Sequence, residues 1–411
     1  MIKGFERFLE KQGIETKKEI NLGLDRIQQF LGYLGNPERE LKAVHIAGTN
    51  GKGSTLQFLR HILIEAGYTV GIFTSPYILN VNDQISTNTG PLSDDEFEEV
   101  LKYTHALAGN QIEELTEFEL LTVLSIVYFS RINQQDIVIF ETGMGGLTDS
   151  TNVLTPILTI ITNISLEHTQ FLGDTIEKIA YQKAGIIKSG IPCVTGVKGP
   201  DALDVIKQYA KEQQAPLSIL YEDFFVSEQL EIGLKGNHQK ENSALAIKAA
   251  QLLQENGCLK IDDDHIENGV KNTFWPGRFE VISKQPLVIL DGAHNPDAME
   301  RLLETIKPEY PNQPYHFIIG ALNDKNTKLM IEMVEQVADQ ITFVDFSFPR
   351  AASAESLMEQ CTIVKKEAWK ELKMGLSQVL NSQHSNKVTI ITGSLYLLAE
   401  VKFVLQEMNL S

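Results

Sequence analysis

Three cysteines in 411 residues, none in a CxxC pair, argue against a disulfide framework or a zinc site. Cys193, Cys258 and Cys361 read as small buried apolar residues in a reducing compartment. Positive charge is also scarce: 36 Lys and Arg face 54 Asp and Glu, a formal net charge of -18. Such a surface repels phosphate backbones and anionic lipid, so neither nucleic acid nor a membrane is an expected partner. A local basic pocket for an anionic substrate remains compatible with it. No apolar run reaches the roughly 18 residues of a membrane span. The opening MIKGFERFLEKQ is charged and helical in pattern, without the apolar stretch of a secretory leader, so a cytoplasmic location is expected. Internal repeats, low-complexity tracts and long charge blocks are missing as well.

Apolar residues make up 43% of the chain and are spread evenly, enough for ordinary cores in two or three domains. Strand-like runs at Lys42–Ala47, Thr69–Phe73, Asp136–Phe140, Ile157–Ile161 and Pro192–Thr195 alternate with helix-like runs. The helical runs are Ser54–Ala66, Ser93–Leu107, Glu117–Ser130 and Thr175–Ile187. Runs such as IVIF and LTII are apolar without alternation, as expected of strands buried on both faces of a parallel sheet. A second series of strands follows at Leu287–Leu290, His316–Ile319, Ile341–Val344 and Val388–Thr392. Phe274-Trp275-Pro276-Gly277 interrupts regular structure before it. The expectation is two α/β domains, 1–274 and 278–411.

The sharpest local signal is GTNGKGST, residues 48–55, after the strand KAVHIA and before a helix. Glycines let several N–H groups converge on one anion, the helix N-terminus adds partial positive charge, and Lys52 supplies a full one. Thr49, Asn50, Gly51, Lys52, Gly53, Ser54 and Thr55 are therefore candidate phosphate-binding residues. The loop departs from a Walker A sequence, with Ile46 where the first glycine belongs and Gly53 after the lysine. Glu141 ends the strand DIVIFE, where a carboxylate suits magnesium. Asp291 and His294 follow the strand LVIL at its carboxyl end. Ser394 is a good helix N-cap in its own right.

At this point the chain resembles the folylpolyglutamate synthase and dihydrofolate synthase family of the Mur ligase superfamily. The resemblance runs in order through HIAGTNGKGST (45–55), FTSPYI (73–78), TEFELLT (116–122), ETGMGGLTDSTNV (141–153) and SLEHTQFLGDTIEKIAYQKAGIIK (165–188). It continues through HQKEN (238–242), WPGRFE (275–280), DGAHNPD (291–297) and TGSLYL (392–397). It implies an α/β, Mur-ligase-like P-loop ATPase domain with a mainly parallel sheet, plus a smaller Rossmann-like C-terminal domain. The activity implied is ATP-dependent addition of L-glutamate to folate, or to dihydropteroate, through an acyl phosphate. The small-molecule partners would be ATP, glutamate and the pterin acceptor, and the protein a monomer. Two magnesium ions are implied, held by Ser75, Glu141, His168 and Lys183, the last as a carbamate. The resemblance also makes Asn242 an adenine contact and Arg278 an ATP-phosphate contact. Asp291 and His294 fall near the ribose and the reacting carboxylate, and Ser394 and Tyr396 at the incoming glutamate.

The chain departs from the family where an arginine-bearing stretch of the NERI type reads Asn82-Asp83-Gln84-Ile85. Arginine is also frequent in the family where Asn80 or Leu147 stands here. Gln84 is thus a candidate acceptor contact that has lost a charge, and a cation restored there should tighten acceptor binding. Two other readings compete: a different Mur-type amino-acid ligase, and a non-catalytic paralogue that binds nucleotide or folate. Only 47 residues precede Gly48, few for the UDP-binding domain of the cell-wall ligases. Retention of Lys52, Glu141, His168 and Lys183 speaks against the paralogue.

Overall fold

The computed structural model describes residues 4–17, 23–77, 80–382 and 386–408. Ile78, which closes the FTSPYI block, lies outside them. The chain forms two compact units, one of residues 1–233 with 239–273 and the other of residues 234–238 with 274–411. The expected single break near Phe274 misses the short excursion Leu234–His238, which groups with the second unit.

The first unit is built on eight strands: β1 (Ala43–Ala47), β2 (Val70–Phe73), β3 (Ile85–Thr87), β4 (Gly90–Pro91), β5 (Ile137–Glu141), β6 (Leu158–Ile161), β7 (Cys193–Thr195) and β8 (Leu217–Ile219). Their order is β4-β3-β2-β5-β1-β6-β7-β8. The six strands from β2 to β8 are parallel, and β3 and β4 add an antiparallel edge. All residues of β1, β2, β5 and β6 are buried, as their uninterrupted apolar runs require. Burying one Ile or Phe is worth about 1.5–3 kcal/mol, so the sheet centre holds this unit together.

Helix ends follow local chemistry. Ser93 accepts from the Glu96 N–H while Glu96 reaches back, fixing the start of Asp94–Ala108. Thr116 and Glu119 do the same for Glu117–Val127, which closes in a π turn over Tyr128–Ile132. Thr175 caps Ile176–Ala184. The helix that carries Asn242 starts at Asn237 and runs to Glu255, so Asn242 lies in its second turn.

The second unit has six strands: β9 (Glu280–Lys284), β10 (Leu287–Leu290), β11 (Tyr315–Ile319), β12 (Gln340–Val344), β13 (Lys366–Trp369) and β14 (Val388–Thr392). Their order is β13-β12-β11-β14-β10-β9, all parallel except β9. Two apolar cores flank the sheet. One holds Met330 and Ile331 of the helix after β11, and the other Leu397, Leu398 and Val401 of the helix after β14. Helices on both faces of a mainly parallel sheet make this a Rossmann-like unit.

Candidate active site

In the first sheet β2, β5, β1 and β6 are neighbours, so the segments leaving their carboxyl ends lie side by side. Those segments carry Ser75, Glu141, the phosphate loop and His168. Register confirms the level: Ile46 of β1 pairs with Glu141 of β5. Ser75 is half-buried two residues beyond β2.

The phosphate loop is held by close backbone approach. A Cβ on Gly48 would lie 1.9 Å from Thr162 Oγ1, and one on Gly51, at φ 80°, would lie 2.4 Å from Asn242 Oδ1. Only glycine fits at either place. The Thr49 and Asn50 amides donate to Asn163, at 3.0 Å to its carbonyl and 2.7 Å to its side-chain oxygen. Thr49 Oγ1 donates to Ser165 O at 3.2 Å, and Thr162 Oγ1 donates to Asn50 O at 2.6 Å. Thr49 and Asn50 thus anchor the loop to the segment after β6 through their backbone amides. The first turn of Lys52–Glu65, where Gly53 and Ser54 follow Lys52, has amides with no partner within the helix, the kind of terminus that suits an anion. Sequence reasoning missed Thr162 and Asn163, which no motif of phosphate chemistry marks.

Lys52 Nζ lies 3.7 Å from Glu141 Oε1 and donates to Thr49 O at 3.2 Å. Glu141 is 5% exposed, and the hydroxyls of Thr55 and Thr142 are buried without a hydrogen-bond partner. Among the described residues no group of three or more His, Cys, Asp or Glu gathers closely enough to hold a metal. Magnesium does not need one, since it keeps several waters and takes its other oxygens from phosphates. A buried carboxylate and two orphaned hydroxyls beside an anion loop fit that ion. His168 sits at φ 51° before the short helix Thr169–Leu172, its Nε2 4.0 Å from Glu167 Oε1.

Lys183 is 4% exposed and its Nζ donates to Gly48 O at 2.7 Å. Burial, with the Lys52 charge nearby, pushes its pKa down to about 7 against the partial relief of Glu167 and Asp149. Burial thus disfavours the charged form of this amine.

Beneath the loop runs a relay that sequence reasoning did not identify. Thr151 Oγ1 donates to Asp149, so its oxygen must accept from His45 Nε2, 2.8 Å away. Burial drops the His45 pKa to about 3. Asp149 also accepts from Met144 N at 2.8 Å, fastening the GMGG segment to β1. Leu147 donates its N–H to Gln182 O and packs against Gly185, in the segment that carries Lys183. Asn242 is buried and donates to Gln239 Oε1 at 2.9 Å.

Gln84 is not an exposed recognition position. It is 2% exposed and its amide donates to Thr74 O at 3.1 Å. Asn80 caps the 3-10 turn Val81–Gln84 with Asp83, and Asn82 donates to Leu92 O and Asp94 Oδ1. Short amides here are bonded mainly to the local backbone. Residue 84 is thus buried and bonded to the local backbone.

Within the second unit, Asp291 accepts from Phe279 N and Ala293 N, both at 2.9 Å, so its carboxylate fastens two turns. Burial raises its pKa, with Arg278 opposing. Arg278 Nε is buried without a hydrogen-bond partner. His294 Nδ1 lies 2.8 Å from Gly292 O and must be the protonated nitrogen, because a carbonyl only accepts. Ser394 caps Leu395–Glu407 by accepting from Tyr396 N, and the Tyr396 ring stacks on Phe348 at 3.9 Å.

Phosphate loop, strand-end carboxylate and buried lysine, with a Rossmann-like unit following, define a Mur-type ligase. Residues 46–250 match the Mur ligase middle domain and residues 277–395 the Mur ligase glutamate ligase domain. The chain is 42% identical over 408 residues to the dihydrofolate synthase/folylpolyglutamate synthase of Bacillus subtilis, covering 93% of this chain and 95% of that one. It is 35% identical to the folylpolyglutamate synthase of Lacticaseibacillus casei, covering 92% and 93%. Escherichia coli FolC in complex with DHPP and ADP superimposes with a TM-score of 0.89 at 28% identity, over 98% of both chains. The chain belongs to the folylpolyglutamate synthase/dihydrofolate synthase family of ATP-dependent ligases.

Proposed function

We propose that this ligase joins L-glutamate to the glutamyl carboxylate of a folate, and to dihydropteroate, the second acceptor resting on the double name of the Bacillus relative. The γ-phosphoryl group of ATP passes to an acceptor carboxylate oxygen, giving an acyl phosphate and ADP. The glutamate amine then attacks the acyl carbon, a proton leaves the nitrogen, and phosphate departs. Two anions must meet in the first step, so charge compensation is the main task of the site. Lys52 and the first turn of its helix supply it to the phosphates. Magnesium, when bound, neutralises and orients the transferring phosphoryl group, and Ser75, Glu141, His168 and a carbamate on Lys183 would hold two such ions. Arg278, Asp291 and His294 serve the nucleotide and acceptor, Asn242 the base, and Ser394 and Tyr396 the incoming amino acid.

The buried, weakly basic Lys183 carries this reading. Carbamylation needs a neutral amine attacking carbon dioxide with loss of a proton, and desolvation provides that amine. A merely structural lysine would gain from a carboxylate partner rather than a backbone carbonyl. We place the reaction in the cytoplasm; no helix of the described residues is long and apolar enough to cross a membrane. Ligation of radiolabelled glutamate to a panel of pteroate and folate acceptors tests the proposal. ATP turnover without any labelled product would favour the altered-specificity reading, and neither turnover nor product the non-catalytic one.

A further inference from the structure

In the second unit the chain runs outward from β11 to β12 and β13, then returns on the other side of β11 as β14. The helices after β11 and β14 pack into cores on opposite faces of the sheet. The carboxyl ends of β11 and β14 thus flank a topological switch point, where open α/β sheets bind ligands. Two loops meet there. Asn323 N donates to Arg350 O at 2.9 Å, Asn323 Nδ2 to Ala351 O at 3.1 Å, and Ala352 N to Ala321 O at 2.9 Å. Segments 320–326 and 345–352 are therefore clipped together, and the Tyr396 ring at the head of the last helix stacks on Phe348.

Onto this platform the loops bring charges of both signs. The Arg350 guanidinium lies 5.6 Å from the Phe348 ring centre, and its Nη1 is 3.2 Å from Asp324 Oδ2. Arg350 remains 56% exposed. A guanidinium has five donors in a planar fork, more than this one contact uses. A short zwitterion with a second carboxylate needs a cation at its far end and an apolar wall along its methylenes. Arg350 and the Phe348–Tyr396 stack provide both.

We propose that Arg350 selects the incoming amino acid by binding its side-chain carboxylate, with Asp324 as the positioning residue that aims the guanidinium. This rests on the reading that glutamate is the amino acid ligated. The test is steady-state kinetics of Arg350→Ala, Arg350→Lys and Asp324→Asn with glutamate and with glutamine, its uncharged isostere. Arg350→Ala should raise KM for glutamate roughly tenfold or more, as loss of a charge-assisted bidentate contact implies. Its KM values for ATP and the folate acceptor should stay within about twofold. Its preference for glutamate over glutamine should fall by the same factor as its glutamate affinity. Arg350→Lys and Asp324→Asn should fall between. A folded Arg350→Ala with unchanged glutamate KM and unchanged preference overturns the assignment while leaving the ligase reading intact. A wild-type enzyme that ligates no glutamate to any folate or pteroate acceptor overturns both.

Discussion

The Lys183 ammonium nitrogen donates to the carbonyl oxygen of Gly48 across a 2.7 Å contact, linking a buried lysine to the first residue of the phosphate loop. Lys183→Ala removes both the amine and the donor. An unsatisfied buried carbonyl costs about 1–3 kcal/mol, so some loss of melting temperature is expected. The chemical role shows separately. Ligation should fall by two orders of magnitude or more, on the order of what lost phosphoryl-charge stabilisation costs. Added acetate or propionate should recover part of it by standing in for the carbamate. Failure of every short acid to restore turnover, in a variant that still binds ATP, would refute the carbamate.

Lys52 touches Glu141 and Thr49 and reaches no apolar core. Lys52→Ala should therefore fold, shown by an unchanged circular dichroism spectrum, yet lose roughly 10²–10³ in kcat. Lys52→Arg keeps the charge on a bulkier, planar head and should recover only a minor part. Near-normal turnover in the alanine variant would remove the phosphate loop from the mechanism.

For Gln84 the expected outcome reverses what the family comparison of the loop implied. Arginine there must enter a space where the glutamine is 2% exposed and its amide is held by Thr74. Overpacking alone costs about 1–3 kcal/mol, and a buried cation adds to it unless it reaches a carboxylate. Gln84→Arg should lower the melting temperature and leave KM for the folate acceptor unimproved. A stable variant with a lower acceptor KM would show that the loop opens on binding.

How much of this was legible in the sequence depends on how local each cause is. The central strands announce themselves because burial on both faces writes an unbroken apolar run, as in IVIF. The helix starts at Ser93 and Thr175 are legible because the caps that set them act within four residues. Edge strands are not: β3 has three residues and β4 two, and β13 presents exposed Lys366 and Glu367. At the site, glycine, lysine and strand-end carboxylate carry their chemistry in their type. Asn163 and the His45–Thr151–Asp149 relay do not, because their roles arise only when segments about a hundred residues apart meet. The burial of Gln84 is of the same kind; nothing in the residue's type marks it.

Three histidines make the acid limb of stability predictable, and His316 is the cleanest to test. Its Nε2 lies 2.7 Å from Thr342 Oγ1, and that hydroxyl donates to Glu367 Oε1 at 3.0 Å, so His316 is the donor to Thr342. Burial first, then the Lys387 charge, pushes its pKa from 6.5 down to about 4. His238 falls to about 4 and His45 to about 3, also chiefly by burial. A folded pKa below the unfolded one means that the unfolded chain takes up the proton first. The stability is thus complete above about pH 6.5 and is lost as pH falls toward 4, by at most about 1.4 kcal/mol per pH unit for each histidine. Both tryptophans, Trp275 and Trp369, belong to the second unit, and the Trp369 ring lies edge-on to His316 at 6.4 Å. Tryptophan fluorescence therefore follows the unfolding of this unit. His316→Gln keeps a side-chain N–H for Thr342 and removes the titration. Its urea midpoint should fall less steeply than that of the wild type between pH 6.5 and pH 4.5. Equal slopes would mean that His316 stays neutral, or charged, in both states over that range.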